Sequence, residues 1–225
     1  MTWPVLIFAA GFGTRMGALT RDRPKPLIAV AGRALIDHAL ELARGIGADP
    51  VVANAHYKAA MLAAHLGPLG VLVSEERGEI LDTGGGLKAA MPLLGSDTVV
   101  TLNSDAVWAG GNPLAQLVEA WNPARMDALL IAVPLAQTVG RKGGGDFSVD
   151  SDGRLSRGGD LVYGGAQVID ARLAAAWPER VFSMNALWDQ AAARGRLFGS
   201  VYAGRWCDVG HPEGIALAEG LLAGV

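Results

Sequence analysis

The segment from Val5 to Met16 reads Val-Leu-Ile-Phe-Ala-Ala-Gly-Phe-Gly-Thr-Arg-Met, and it decides the fold class. Its first six residues are apolar, a pattern that predicts a buried strand. Gly11 and Gly13 allow positive φ and leave no Cβ to block the approach of a phosphate. Arg15 adds a guanidinium that can bind phosphate through two hydrogen bonds. The segment predicts a strand that ends in a phosphate-binding turn, although a lone Gly-x-Gly pair also fits a purely structural turn.

Helical and strand patterns alternate from this segment onward. In the first half, helices are predicted over 34–46, 57–66 and 85–93, and strands over 50–53, 70–74 and 98–102. This rhythm is typical of right-handed βαβ units, which form a mainly parallel sheet with helices on both faces. In the second half, strands are predicted over 127–133, 147–149, 163–169 and 198–202, and helices over 184–193 and from Glu213. With no linker or repeat, we expect one domain over 1–225.

The composition excludes several classes of protein. Apolar residues make up 51% of the 225-residue chain, which predicts a packed core rather than disorder. The net charge of −3 and the lack of a basic run argue against nucleic acid as a partner. No apolar stretch is long enough for a transmembrane helix, and no signal-peptide pattern precedes the first strand. The single cysteine, Cys207, fits a reducing compartment, so the cytoplasm is expected.

A lysine held between two prolines follows the glycine turn. In the stretch Arg23-Pro24-Lys25-Pro26-Leu27 the prolines restrict the backbone on both sides, which predicts an extended conformation at Lys25. An ammonium held in this way can bind a polyphosphate while negative charge shifts during a reaction. The alternative is an exposed loop lysine, but the nearby turn and Arg15 favour phosphate binding.

Two further features indicate ligand binding. Thr83-Gly84-Gly85-Gly86 stands ahead of a predicted helix, and three glycines suggest backbone that lies against a base or ribose; the alternative is a flexible loop. Asp105 follows the strand 98–102 and so lies at the carboxyl edge of the sheet. Asp208 ends another short apolar segment. Two carboxylates brought together suit Mg²⁺, although spacing alone does not show that they meet.

These motifs occur in the order found in the sugar-1-phosphate nucleotidyltransferases, which the chain resembles over nearly its whole length. The residues that carry the resemblance are Ala9-Ala10-Gly11-x-Gly13-x-Arg15-Met16, Pro24-Lys25-Pro26-Leu27, Ala31-Gly32-x-x-Leu35-Ile36, Asn103-x-Asp105 and Asp208-Val209-Gly210. Within the family, the chain is most similar to the short bacterial N-acetylmuramate 1-phosphate uridylyltransferases. This closer match rests on Asn54-x-His56, Asp82-Thr83-Gly84-Gly85-Gly86 and Gly145-Asp146-Phe147. Mannose-1-phosphate guanylyltransferases are the nearest alternative.

The resemblance implies a three-layer α/β/α sandwich with a mixed, mainly parallel sheet, and it implies roles for individual residues. Nucleotide contacts are implied for Ala10, Gly11, Gly13, Thr14 and Gly85. Catalytic contacts to the phosphates are implied for Arg15 and Lys25. Sugar contacts are implied for Asn103, Gly145 and Asp146. Mg²⁺ is implied as the cofactor, with Asp105 and Asp208 as its ligands.

The implied partners are a nucleoside triphosphate and a sugar 1-phosphate, which react with release of pyrophosphate. Two other classes of protein fit the sequence less well. A dinucleotide-dependent oxidoreductase would need a third glycine at Met16. A non-catalytic sensor on the same fold would have lost one of the charged residues that this chain keeps. Among the tryptophans, Trp108 is expected to line the pocket, whereas Trp188 falls in a helical pattern and is expected to pack.

Overall fold

The computed structural model describes residues 2–224; the two terminal residues of the predicted 1–225 domain lie outside this part. The strands are β1 Trp3–Phe8, β2 Ala29–Val30, β3 Arg33–Ala34, β4 Ala48–Ala55, β5 Leu72–Glu75, β6 Thr98–Asn103, β7 Ala106–Ala109, β8 Ala128–Pro134, β9 Thr138–Val139, β10 Phe147–Val149, β11 Leu155–Arg157, β12 Leu161–Asp170, β13 Leu197–Val201 and β14 Arg205–Asp208. The α-helices are α1 Leu35–Gly45, α2 Ala59–Leu66, α3 Asp82–Leu94, α4 Pro113–Ala120, α5 Arg172–Ala176, α6 Met184–Ala193 and α7 Glu213–Ala223.

A nine-stranded sheet forms the centre of the molecule, with β1 near its middle. The order β11-β10-β12-β6-β1-β4-β5 is extended by β8, which pairs with β12, and by β13, which pairs with β8. β1 runs parallel to β4 and β6, as expected for strands that are joined through helices. β12 runs antiparallel to both β6 and β8, and β11 antiparallel to β10. The predicted mixed, mainly parallel sheet is therefore confirmed.

Apolar residues of β1 alternate between the two faces of the sheet. Val5 and Ile7 join a buried cluster that contains residues of α1, α2 and α4. Leu6 joins a second cluster on the other face, with residues of α3, α5 and α6. A strand that is buried on both faces explains why its sequence is continuously apolar rather than alternating. This arrangement confirms the expected three-layer α/β/α sandwich.

A small second sheet, of order β7-β14-β9, lies beside the first and supports the site. β14 pairs antiparallel with β7, so that Asp208 lies opposite Ala106. Cys207 and Val209 are fully buried in a third apolar cluster, together with residues of α7. The sequence did not predict β7 or β9, because segments this short carry too little periodicity. Their pairing with β14 is what brings Asp208 to the end of β6.

Two local predictions are wrong in their details. The three glycines 84–86 lie inside α3, which begins at Asp82, whereas a helix from Gly85 was predicted. Lys25 is not extended; it begins a 3₁₀ turn, Lys25–Leu27, in which the amide of Ile28 donates to the carbonyl of Lys25. By contrast, α1 and α6 occupy the predicted segments. Within residues 2–224, no helix is long and apolar enough to cross a membrane.

Candidate active site

Two adjoining cavities open at the carboxyl ends of β1 and β6. The first cavity, of about 250 Å³, is bordered by Ala10, Gly11, Lys25, Asn54 and Glu76 among others. The second cavity, of about 460 Å³, is bordered by residues that include Arg15, Asp146, Arg157, Trp188 and Asp208. Both contact Asn103 and Asp105, so these two residues lie where the cavities meet. The carboxyl edge of the sheet is the usual ligand-binding position in open α/β folds.

The turn after β1 shapes the first cavity. Gly13 has φ of 65° and ψ of 28°, the left-handed region that favours glycine. Gly11 does not have a positive φ, contrary to the expectation for both glycines, but a Cβ built on it would meet nothing within 4 Å. It therefore leaves open space on the cavity wall. Thr14 begins a 3₁₀ helix, Thr14–Thr20, and neither it nor Gly13 borders either cavity.

Substitution of Gly13 by alanine is expected to destabilise the protein more than the same change at Gly95. A Cβ on Gly13 would lie 2.8 Å from the Cβ of Lys25 and 2.9 Å from the Cγ2 of Thr20. Gly95 has the same φ of 65° but nothing within 4 Å of its Cβ position. Both changes strain the backbone by about 1–2 kcal/mol, and Gly13→Ala adds about 1–3 kcal/mol of steric overlap. Urea unfolding of both variants measures the difference, and equal losses would contradict the packing assignment.

Lys25 is buried and pairs with Asp105. Its Nζ donates to the Oδ2 of Asp105 at 2.8 Å, and only 11% of the lysine side chain is exposed. The 3₁₀ turn at Lys25 replaces the predicted extended conformation because this tertiary contact outweighs the modest steric preference of a residue that precedes proline. The ammonium thus lies at the junction of the cavities, on one of the two predicted metal ligands.

Asp208 lies close to Asp105, although nearly half of the chain separates them in sequence. The amide of Val209 donates to the carbonyl of Asp105 at 2.9 Å. Burial raises the pKa of Asp208 above its ordinary value, and the negative charge of Asp105 raises it further. Lys25, Arg15 and Arg141 act in the opposite direction. A Cβ on Gly210 would lie 3.0 Å from both carboxylate oxygens of Asp208 and 3.1 Å from Nη1 of Arg15, so these two side chains approach each other beside Gly210.

The donor set at this junction fits a divalent cation of the Mg²⁺ type. It offers two carboxylates, and burial, followed by the negative charge of Asp105, raises the pKa of Asp208. Mg²⁺ binds one or two carboxylates and completes its octahedron with water and phosphate oxygens. No group of three or more His, Cys, Asp or Glu suited to a metal occurs in the described part of the chain. The two carboxylates suit a cation whose remaining ligands are water and phosphate oxygens.

A buried polar network that sequence reasoning missed holds the end of β1. The side-chain oxygen of Asn54 accepts from the amide of Ala9 at 2.6 Å, and its Nδ2 donates to Glu76 at 2.7 Å. The second carboxylate oxygen of Glu76 accepts from the amide of Leu81 at 2.8 Å. Both side chains are about 3% exposed and border the first cavity. In the sequence, the only feature that pointed to this network was Asn54-x-His56, and it served only as part of the family resemblance.

Gly84 and Gly85 of the glycine run 84–86 pack against the segment that precedes α6. The amides of Gly84 and Gly85 both donate to the carbonyl of Phe182. A Cβ on Gly85 would collide with the carbonyl oxygen of Arg180, and one on Gly84 with the ring of Phe182. These glycines therefore allow α3 to pack against the segment before α6. Gly85 borders neither cavity, whereas Asp82 and Thr83 border both, so the glycine expected to contact the base lies outside the two cavities.

Gly85→Ala is accordingly expected to lower stability rather than nucleotide affinity. Overpacking against a backbone carbonyl costs about 1–3 kcal/mol. Gly220→Ala in α7 is the control, because a Cβ there meets nothing within 4 Å and helix propensity favours alanine by about 1 kcal/mol. Thermal unfolding should separate the two variants. If Gly85→Ala kept the native stability but raised KM for the nucleotide, the original expectation would be restored.

Asn103 and Asp146, for which sugar contacts are expected, both border the second cavity. Gly165, with φ of 87°, lies in an irregular part of β12, and a Cβ there would come within 2.9 Å of Nδ2 of Asn103. Asp146 accepts from Nη2 of Arg141 at 2.8 Å and from the amide of Tyr163 at 2.9 Å. Both of its oxygens are therefore used within the protein, and its charge is balanced by Arg141.

Two other residues expected at the site do not border either cavity. Gly145 borders neither cavity, because it packs against the loop before β12, where a Cβ would lie 2.5 Å from the carbonyl oxygen of Gly159. Trp108 packs edge-to-face on Tyr202 and against Gly164, behind residues that border the second cavity, and does not itself border either cavity. Trp188 and Trp206 border the second cavity instead. A helical pattern shows that one face of a helix packs, but it does not show that the end of that face borders a cavity.

Fold and site together define an α/β protein with a glycine turn, a buried lysine and paired carboxylates at the carboxyl edge of its sheet. Residues 5–199 match the model of the MobA-like NTP transferase domain. The chain is 38% identical to an N-acetylmuramate alpha-1-phosphate uridylyltransferase of Caulobacter vibrioides, over 97% of this chain and 96% of that protein. The chain belongs to this nucleotidyltransferase family, which confirms the resemblance predicted from its motifs.

More distant relatives share the fold. A mannose-1-phosphate guanylyltransferase of Mycobacterium tuberculosis is 26% identical over 92% of this chain and 61% of its own length. The solved structure of an inositol-1-phosphate CTP transferase from T. maritima superposes with a TM-score of 0.77 at 17% identity, over 100% of this chain and 98% of that one. At this level of identity the likeness shows that the two proteins share a fold.

Proposed function

We propose that the chain, as a single nucleotidyltransferase domain, transfers a uridylyl group from UTP to N-acetylmuramate 1-phosphate and releases pyrophosphate. The observation that carries the proposal is the convergence of Lys25, Asp105 and Asp208 at the junction of two cavities. The identity of 38% to the Caulobacter uridylyltransferase over nearly the full length of both chains supports the choice of substrates. Such a reaction fits a role in the recycling of cell-wall sugars in the cytoplasm.

The two cavities suit the two substrates. The nucleotide would occupy the first cavity, beside the open Cβ position of Gly11 and the backbone of Ala10. The sugar phosphate would occupy the second cavity, where Asn103 and Asp146 face it. Arg15 borders the second cavity and lies near Asp208, so it would bind phosphate at the junction. The phosphates of the two substrates would then meet at Asp105, where the cavities join.

Catalysis would rest on position and charge. An oxygen of the sugar phosphate attacks the α-phosphorus of UTP, a new P–O bond forms, and the bond to the β-phosphate breaks with its electron pair leaving on pyrophosphate. The attacking phosphate is already largely ionised near neutral pH, since its second pKa is about 6. No general base is required. Lys25 and Arg15 would neutralise charge on the triphosphate. Mg²⁺, held by Asp105 and Asp208, would supply further charge neutralisation for the phosphates when bound.

Pyrophosphate release tests the proposal. The protein is incubated with each of UTP, GTP, CTP and ATP and with N-acetylmuramate, N-acetylglucosamine and mannose 1-phosphates, with and without Mg²⁺. The expected result is the highest kcat/KM with UTP and N-acetylmuramate 1-phosphate. A clear preference for GTP and mannose 1-phosphate would replace the substrates and keep the reaction class. Binding without release of pyrophosphate from any pair would support a sensor instead.

A further inference from the structure

A third arginine borders the second cavity far from the paired carboxylates. Arg157 ends β11, the outermost strand in the order β11-β10-β12-β6. At about 4.8 Å per strand, its backbone lies roughly 14 Å across the sheet from β6, which leads to Asp105. A sugar phosphate anchored at Asp105 would extend its ring toward this end of the cavity.

The other two arginines of the cavity serve its phosphate end. Arg15 and Arg141 both act electrostatically on Asp208, which places them near the paired carboxylates. Arg141 is in addition fixed on Asp146 through the contact of 2.8 Å. Lys142, the other cation near Asp146 in the sequence, does not border the cavity. Of the three arginines that border the second cavity, Arg157 is therefore the one that can contact the part of a substrate farthest from its phosphate.

The guanidinium of Arg157 is oriented but not saturated. It lies 4.9 Å from the ring centre of Phe147 and 5.7 Å from that of Trp188, and these rings restrict its position. Its Nε and Nη2 donate to one oxygen of Asp189, at 3.1 and 2.7 Å. Both partners are about half exposed or more, so this pair exchanges readily for another carboxylate. Nη1 makes no hydrogen bond within residues 2–224 and keeps its donors for a ligand.

We propose that Arg157 binds the lactyl carboxylate of N-acetylmuramate 1-phosphate and selects this sugar over neutral ones. The inference rests on the proposed function. The lactyl group is an ether on C3 of the ring, away from the phosphate on C1, so its carboxylate enters a cavity that already holds Asp105, Asp146 and Asp208. Asp146 is neutralised by Arg141, and Arg157 supplies the compensating charge. Arginine suits this role because its planar fork binds a carboxylate through two hydrogen bonds.

Steady-state kinetics and calorimetry of Arg157→Ala and Arg157→Lys test the proposal. For Arg157→Ala we expect KM and Kd for N-acetylmuramate 1-phosphate to rise by roughly 10- to 100-fold, with kcat and the KM for UTP changed far less. Arg157→Lys should fall between, because lysine keeps the charge and loses the fork. Arg154→Ala is the matched control: Arg154 is a neighbouring arginine that pairs with Asp152 and borders neither cavity.

Each outcome decides a separate question. If KM and Kd of Arg157→Ala stayed within twofold of the native values, the proposal would be overturned. It would also be overturned if the affinity for N-acetylglucosamine 1-phosphate fell by the same factor, since that sugar lacks the carboxylate. If the native enzyme did not use N-acetylmuramate 1-phosphate and UTP, the proposed function itself would fail, and Arg157 would lose its ligand with it. Thermal unfolding of each variant confirms that the fold is retained.

Discussion

Asp105→Asn is expected to lower kcat about 100- to 1000-fold or more, with the fold unchanged, since the loss of one preorganised electrostatic contact in an active site has that effect. The substitution keeps the size of the side chain and the backbone carbonyl that accepts from Val209. It removes one of the two carboxylates that would hold Mg²⁺, together with the charge that pairs with Lys25 at 2.8 Å. The measurement is pyrophosphate release at saturating substrates over a Mg²⁺ titration.

A shift in the Mg²⁺ dependence distinguishes a metal ligand from a residue that only supports the fold. For Asp105→Asn we expect half-maximal activity at a much higher Mg²⁺ concentration. Asp152→Asn is the control, because Asp152 is an exposed aspartate that pairs with Arg154 away from both cavities. Native activity in Asp105→Asn, or a loss accompanied by unfolding, would contradict the assignment.

Lys25→Met is expected to lower kcat/KM about 10- to 150-fold, which corresponds to 1.5–3 kcal/mol for one lost charge-assisted contact. Methionine retains an apolar stem at a position that is only 8% exposed and packs beside Gly13, so the effect of the charge is separated from that of a cavity. The ammonium pairs with Asp105 in the absence of ligand, and we expect it to transfer to the triphosphate when a cation binds the carboxylates. Steady-state kinetics for both substrates measure the loss.

A double-mutant cycle tests the coupling between these two residues. Because Lys25 and Asp105 contact each other directly, the losses in Lys25→Met and Asp105→Asn should not add in the double variant. Lys58→Met serves as the control, since Lys58 lies over the ring of Tyr57 and borders neither cavity. Full activity of Lys25→Met with unchanged KM would show that Lys25 acts only on the structure of the site.

Local sequence patterns were sufficient for most of the fold. The apolar run 5–10 predicted β1, and the spacing of apolar residues in 34–46 predicted α1, because hydrophobic periodicity reflects the face that each element buries. Asp105 follows the strand predicted over 98–102, and parallel strands end at the same edge of a sheet. The position of Asp105 at the carboxyl edge could therefore be predicted. Boundaries were less accurate where glycines occurred, as in α3, since glycine does not indicate whether a helix has begun.

The sequence by itself determined the layered α/β fold, the glycine turn and the residues that carry charge at the edge of the sheet. Only the tertiary structure decided which of them meet. The pairing of β14 with β7 places Asp208 beside Asp105, and the order of the outer strands brings Arg157 to the second cavity. The tertiary structure also showed that Gly85 and Gly145 lie against protein backbone. Contacts between distant segments depend on how whole elements pack, and short-range periodicity contains no information about them.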